Sequence, residues 1–141
     1  MLTDDLRSAR GVVASASMAH LATDLAVTLP EDRPGMLARA ISAVGNAGIN
    51  IDGYAELDGV VHVLTTDLPA TRKVLDQAGF KVVTEQQVML VPIEDLPGSA
   101  ARVFTRIANA RINVRFSYLA TGNRLVIGAP DLEAVKKALA D

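Results

Sequence analysis

Residues 31–37 read Glu31-Asp32-Arg33-Pro34-Gly35-Met36-Leu37, and residues 94–100 read Glu94-Asp95-Leu96-Pro97-Gly98-Ser99-Ala100. The two stretches align without gaps, and so do the residues after them. Ile41 matches Phe104, Val44 matches Ile107, and Ile49-Asn50 matches Ile112-Asn113. Two copies of one unit follow each other along the chain.

Working outward from the first copy, the hydrophobic period changes in a readable order. Leu25 to Leu29 is a short apolar run of the buried-strand type. Asp32 stands as the N-cap candidate of a helix, with Pro34 in its first turn. Leu37, Ala40, Ile41 and Val44 keep one helical face apolar, and Gly45 and Gly48 end the helix. Residues 49–57 and 60–66, joined by Asp58-Gly59, predict a hairpin with a type I′ turn. Asp67 and Pro69 open a second helix carrying Val74, Leu75 and Ala78; Gly79 stops it, and residues 80–84 return to a strand. The order is β-α-β-β-α-β.

Such an order folds most simply as an antiparallel four-stranded sheet with both helices on one face, the ferredoxin-like arrangement. The second copy repeats it through residues 88–92, 97–110, 112–120, 124–128 and 132–139, then reaches Asp141 without a last strand. The expectation is an α+β protein of two tandem ferredoxin-like units: an extension at 1–21, unit one at 22–87, and a truncated unit two at 88–141. The strand missing beside residues 88–92 is to be supplied by the extension, whose residues 11–16 are β-permissive, or by a partner chain.

Composition bounds the function. The chain has 141 residues, 50% of them apolar, with 14 basic and 16 acidic side chains. That is material for a buried core. The charge balance lacks the basic excess that binding to phosphate backbones needs, so no nucleic acid is expected as a partner. The absence of cysteine excludes disulfides, thiolate metal sites and cysteine nucleophiles. Apolar runs stay far below the roughly 20 residues of a membrane-spanning helix, so no membrane is expected either. Residues 1–20 lack the pattern of a cleaved secretory signal, which predicts a cytoplasmic protein. His20 and His62 stand without a ligand-spaced or catalytic motif, so neither a metal, a cofactor nor a catalytic residue is expected. His62, between Val61 and Val63, reads as a surface or hydrogen-bonded strand residue.

The short strand, then D-R-P-G-x-L, a helix, G-I-N-I and a hairpin resemble the ACT domain, twice over, across residues 22–141. ACT domains are small ferredoxin-like modules that associate in pairs and bind amino acids or similar metabolites at the interface. The resemblance implies a free-standing regulatory module, no enzyme, that forms a homodimer and binds its ligand near the loop between strand one and helix one. The contact positions it implies are Asp32, Arg33, Gly35, Met36, Leu37, Asn50 and Ile51 in the first copy, and Asp95, Gly98 and Asn113 in the second. Some ACT regulators of serine biosynthesis carry a histidine two residues before the position of Asp32, where this chain has Pro30 and Ile93; that speaks against serine.

The residue types suit such a site. A glycine at a strand-to-helix turn lets a ligand approach backbone amides closely, and a helix N-terminus favours an anion such as an α-carboxylate. Asp32 and the side-chain carbonyl of Asn50 can accept from an ammonium. Each residue also has a purely structural reading. Asp32 and Asp95 are N-cap candidates, Gly35 and Gly98 suit a tight turn, and Asn50 and Asn113 suit an Asx-type bond; Arg33 suits a solvated surface. Tyr54, Phe116 and Tyr118 lie along second strands, where aromatic residues pack in cores, across a partner sheet, or as pocket walls.

Two function classes follow. One is an amino-acid-binding regulatory module. The other is a non-catalytic accessory subunit docking on a metabolic enzyme through an open strand edge, similar to the small subunit of acetohydroxyacid synthase.

Overall fold

The computed structural model describes residues 18–140, so the candidate strand at 11–16 lies outside the described residues. Ten elements follow in order: β1 (His20–Thr28), α1 (Met36–Asn46), β2 (Ile51–Leu57), β3 (Val60–Thr65), α2 (Leu68–Gln77), β4 (Lys81–Pro92), α3 (Ser99–Asn109), β5 (Phe116–Ala120), β6 (Arg124–Gly128) and α4 (Leu132–Ala140). The main departure from expectation is β4, a single strand of 12 residues where two strands, 80–84 and 88–92, were expected. Glu85-Gln86-Gln87 holds no Gly, Pro, Asn or Asp to turn the chain, so the end of one copy and the start of the next are one strand. No helix among the described residues is long and apolar enough to cross a membrane.

The chain divides into two compact units, and both divisions fall inside strands, between Ala22 and Thr23 in β1 and between Gln87 and Val88 in β4. One unit is Thr23–Gln87. The other, among the described residues, joins 18–22 to 88–140.

In the Thr23–Gln87 unit β3 lies between β1 and β2, antiparallel to both; Leu25 pairs with Val63 and Val27 with Val61. The β2–β3 turn places Asp58 (φ 52) and Gly59 (φ 78) in the left-handed region, as a type I′ turn requires. Alternation brings Leu25, Val27, Val61 and Val63 to one face, where they pack with Met36, Ala40 and Val44 of α1, Leu75 of α2, and Phe80. Arg39 of α1 lies over the Phe80 ring, 5.4 Å from its centroid, and donates to the Ala78 carbonyl at 2.6 Å, tying α1 to the end of α2.

Helix α2 starts on a side-chain cap: Asp67 accepts from the Ala70 amide at 3.2 Å. Asp67→Ala should therefore lower stability by about 1 kcal/mol, seen as a lower urea midpoint with an unchanged slope. A midpoint equal to wild type would show that the cap contributes nothing.

In the second unit β6 lies between β4 and β5; Met89 pairs with Ile127, Val91 with Leu125, and Tyr118 with Val126. Met89, Val91, Leu125 and Ile127 pack with Val103 and Ile107 of α3 and with Val135 and Leu139 of α4. Ala19, just ahead of β1, belongs to the same core and is 3% exposed. Arg106 of α3 donates to the Leu139 carbonyl at 3.1 Å, and Asp131 caps α4 by accepting from the Ala134 amide at 3.0 Å.

Candidate functional site at the strand-to-helix turn

Between β1 and α1 a proline and a glycine decide the path of the chain. Pro34 has a fixed φ and no N–H. Gly35 follows at φ 93, the Met36 amide returns to the Arg33 carbonyl at 3.4 Å, and the Arg39 amide bonds the Gly35 carbonyl at 2.9 Å. Helix α1 thus begins at Met36 with Gly35 in the cap position, and no side chain caps its first-turn amides. The second copy does the same: Gly98 sits at φ 88, the Ser99 amide bonds the Leu96 carbonyl at 3.2 Å, and α3 starts uncapped.

These turns correct the expectation that Asp32 and Asp95 are N-caps. Each stands three residues ahead of the cap position, because the left-handed glycine turns the chain into the helix later than the aspartate pattern implied. A Cβ added at Gly35 would meet nothing within 4 Å, and one at Gly98 would meet only the Arg102 side chain, at 4.0 Å. Glycine is required there by the backbone angle, and packing space is left above it.

An open hollow of about 780 Å³ surrounds the first turn. Its walls are Leu29, residues 31–37, and Glu56, Asp58 and Gly59 of the β2–β3 hairpin. The hairpin is drawn in by the Leu29 amide, which donates to the Gly59 carbonyl at 2.7 Å. Four carboxylates line the hollow, Glu31, Asp32, Glu56 and Asp58, against a single cation, Arg33. Arg33 Nε lies 2.8 Å from Glu31 Oε2 and 3.4 Å from Met36 Sδ. The Arg33 and Glu31 side chains are 59% and 60% exposed, so their pair contributes little to stability. The hollow offers uncapped amides with partial positive charge at one side and an excess of carboxylates around it.

The structure brings Asp32, Arg33, Gly35, Met36 and Leu37 together in this hollow. Asn50 and Ile51 do not line it: exposed Asn50 donates from Nδ2 to Asp52 Oδ1 at 2.9 Å, and Ile51 packs against the apolar core. In the second copy Asp95, Gly98 and Asn113 are exposed. Tyr54 is exposed on β2, and the Phe116 and Tyr118 rings stack at 6.2 Å.

Sequence reading missed two features. Glu56 and Asp58 belong to the hollow through the hairpin; the signal that could have found them is the Asp58-Gly59 turn. The other is Asp24 of β1, which is 0% exposed and whose Oδ2 lies 2.8 Å from Nδ1 of His62 on β3. Asp24 and His62 alternate with the core residues Leu25, Val27, Val61 and Val63, so they occupy the opposite face of the sheet. No local motif announces a pair that far apart in sequence. Among the described residues, no group of three or more His, Asp or Glu side chains is placed to hold a metal ion.

No protein-family model matches the chain, and no curated protein does. Solved structures do. The chain is similar to protein BT0572 from Bacteroides thetaiotaomicron, with a TM-score of 0.73 and 22% identity over 86% of this chain and 88% of that one. It is similar to the ligand-free regulatory subunit of aspartate kinase from Thermus thermophilus, with a TM-score of 0.57 and 18% identity over 86% and 93% of the two chains. E. coli aspartokinase III in complex with lysine and aspartate matches with a TM-score of 0.55 and 15% identity, over 86% of this chain but 31% of that enzyme. At these identities the likeness establishes the fold: an α+β, ACT-like fold shared with regulatory subunits of aspartate kinase.

Proposed function

We propose that the chain is a free-standing, non-catalytic regulatory module of the ACT type that binds an amino acid at the β1–α1 turn and acts on a metabolic enzyme. The hollow carries this reading, because it suits both ends of a zwitterion. The uncapped start of α1 beside Gly35 suits the carboxylate, and Glu31, Asp32, Glu56 and Asp58 suit the ammonium. Asp95, Gly98 and Asn113 are the corresponding positions of the second copy. Likeness to a regulatory subunit of aspartate kinase, matched over 93% of its length, supports a regulatory role. Two such chains pair as a cytoplasmic homodimer in this reading, and the ligand acts by favouring one arrangement, to the extent that its affinities for the two differ.

A thermal-shift screen against the twenty amino acids tests it, with lysine and aspartate first because aspartokinase III was solved with both. A ligand of the native state raises the melting temperature by mass action. Gly35→Val, which forces a β-branched residue to a left-handed φ and fills the space above the turn, should abolish the shift. Glu56→Gln, which removes one exposed carboxylate from the hollow, should weaken binding about fivefold, near the upper range for an exposed charge pair. An amino acid that stabilises Gly35→Val as much as wild type overturns the site. No shift with any amino acid overturns the ligand reading and favours the second one, an accessory subunit that docks on its enzyme without a small molecule.

A further inference from the structure

The four helices hold a share of the chain's charge that differs in sign from the rest. Helices α1 and α2 carry Arg39, Arg72 and Lys73 against Asp76, and α3 and α4 carry Arg102, Arg106, Lys136 and Lys137 against Glu133. Half of the chain's 14 basic side chains thus lie on helices, with only two of its 16 acidic ones. In each unit the helices pack on one face of the sheet, and their cations stand away from that core: Arg106 is half-buried and the others are exposed.

The placement repeats between the copies. Arg39 and Arg102 each stand four residues after the left-handed glycine of their turn. Arg72-Lys73 and Lys136-Lys137 each stand five and six residues after the capping aspartate, Asp67 or Asp131. A surface hollow lies beside each basic pair, of about 650 Å³ in the first unit, where Lys81 of β4 adds a further cation, and about 560 Å³ in the second.

Folding accounts for part of this charge. Arg39 and Arg106 donate to the Ala78 and Leu139 carbonyls, and Arg72 pairs with Glu85 at 3.2 Å. Lys73, Arg102, Lys136 and Lys137 engage no hydrogen bond or ion pair among the described residues. A helix face that is merely solvated mixes both signs, with acidic and basic residues a turn apart, whereas like charges a turn apart, as in Arg102 and Arg106, repel. None of the large apolar side chains exposed among the described residues lies on a helix, so a lipid surface finds no anchor there. A nucleic-acid backbone long enough to run past the helices meets the remainder of the chain, which holds 14 acidic against seven basic side chains. What fits is a short acidic stretch of protein.

We infer that the helical face of each unit docks an acidic segment of a partner protein, with the basic pairs Arg72-Lys73 and Lys136-Lys137 at the two contacts. None of these residues belongs to the ligand hollow, and only the naming of the partner as the regulated enzyme rests on the function proposed above. Contacts between exposed charges are individually weak, so such docking is fast, reversible and screened by salt.

The test is an NMR titration of the full ¹⁵N-labelled chain with a short polyglutamate peptide. Saturable amide shifts are expected along α2 and α4, and raised salt should abolish them. Lys136→Ala/Lys137→Ala should weaken binding at α4 about tenfold, within the range for losing two exposed charge contacts. The shifts along α2 should persist in that variant, which also shows that it folds. Shifts as large around Arg111, Arg115 and Arg124, cations off the helices, would mean general attraction to positive charge and overturn the inference. So would the absence of saturable shifts, or binding at α4 that is unchanged in the variant. A DNA oligonucleotide that binds the same helices more tightly than polyglutamate overturns the protein partner. Peptide shifts along the helices without stabilisation by any amino acid leave this surface standing while the ligand reading falls, and the converse result overturns the surface alone.

Discussion

Gly128→Ala should cost about 2–3 kcal/mol, at the upper end of what forcing one methyl group into a packed site costs. Gly128 ends β6 and lies directly opposite Phe116 of β5. A Cβ built on it would sit 2.6 Å from Cδ1 and Cζ of the Phe116 ring, and closer still to Cε1. The ring covers the glycine, the device by which an aromatic residue compensates for a missing side chain across two strands. It cannot swing aside freely, because it stacks on Tyr118 with an interplanar angle of 13°. The backbone at Gly128 is not left-handed, so the whole cost is collision. The expected readout is a melting temperature about 8 °C lower. Phe116→Leu should relieve the clash, so the double variant should be more stable than the sum of the two single losses predicts. Additive losses would show that Gly128 matters for some reason other than the ring above it.

The order of elements was legible because the turns that set it are local. Pro34-Gly35, Pro97-Gly98 and Asp58-Gly59 stand at the turns their chemistry implies. Helix ends were legible to within a turn and no better. Gly48 (φ 76) and Arg111 (φ 61) hold the same left-handed position after α1 and α3, and the Ile49 and Ile112 amides return to the carbonyls of Val44 and Ile107. That closing bond keeps the expected strand starts at 49 and 112 out of the sheet, so β2 and β5 begin later, at Ile51 and Phe116. An arginine in a position where glycine is usual gave no sequence signal.

What depends on distant partners was not legible at all. The motif supplied one side of the hollow, the loop, since those residues are consecutive. The other side came from Glu56 and Asp58, which only the pairing of β1 with β3 brings alongside. In the same way the alternation in β1 marks Asp24 as the residue facing away from Leu25, which a reader of sequence assigns to solvent. The structure buries it completely.

That burial makes His62→Ala the other variant of large effect, with an expected loss of about 3 kcal/mol. A carboxylate with no exposed surface has given up its hydration, and the imidazole at 2.8 Å is one of the groups that replace it. Both side chains engage other groups as well, so the loss should fall at the lower end of the range for breaking a buried pair. The asymmetry between removing one partner and removing both gives the sharper test. Asp24→Val/His62→Val replaces the pair by two strand-favouring apolar residues and leaves no desolvated charge, so it should be more stable than His62→Ala although it changes more of the sheet. If urea unfolding instead ranks the double variant below the single one, burial of Asp24 is compensated mainly by its other partners, and the histidine is a passenger on β3. If the ranking is as expected, the loss in His62→Ala is the cost of leaving Asp24 buried without its imidazole partner, and the double variant measured against wild type gives the net contribution of the pair to the Thr23–Gln87 unit.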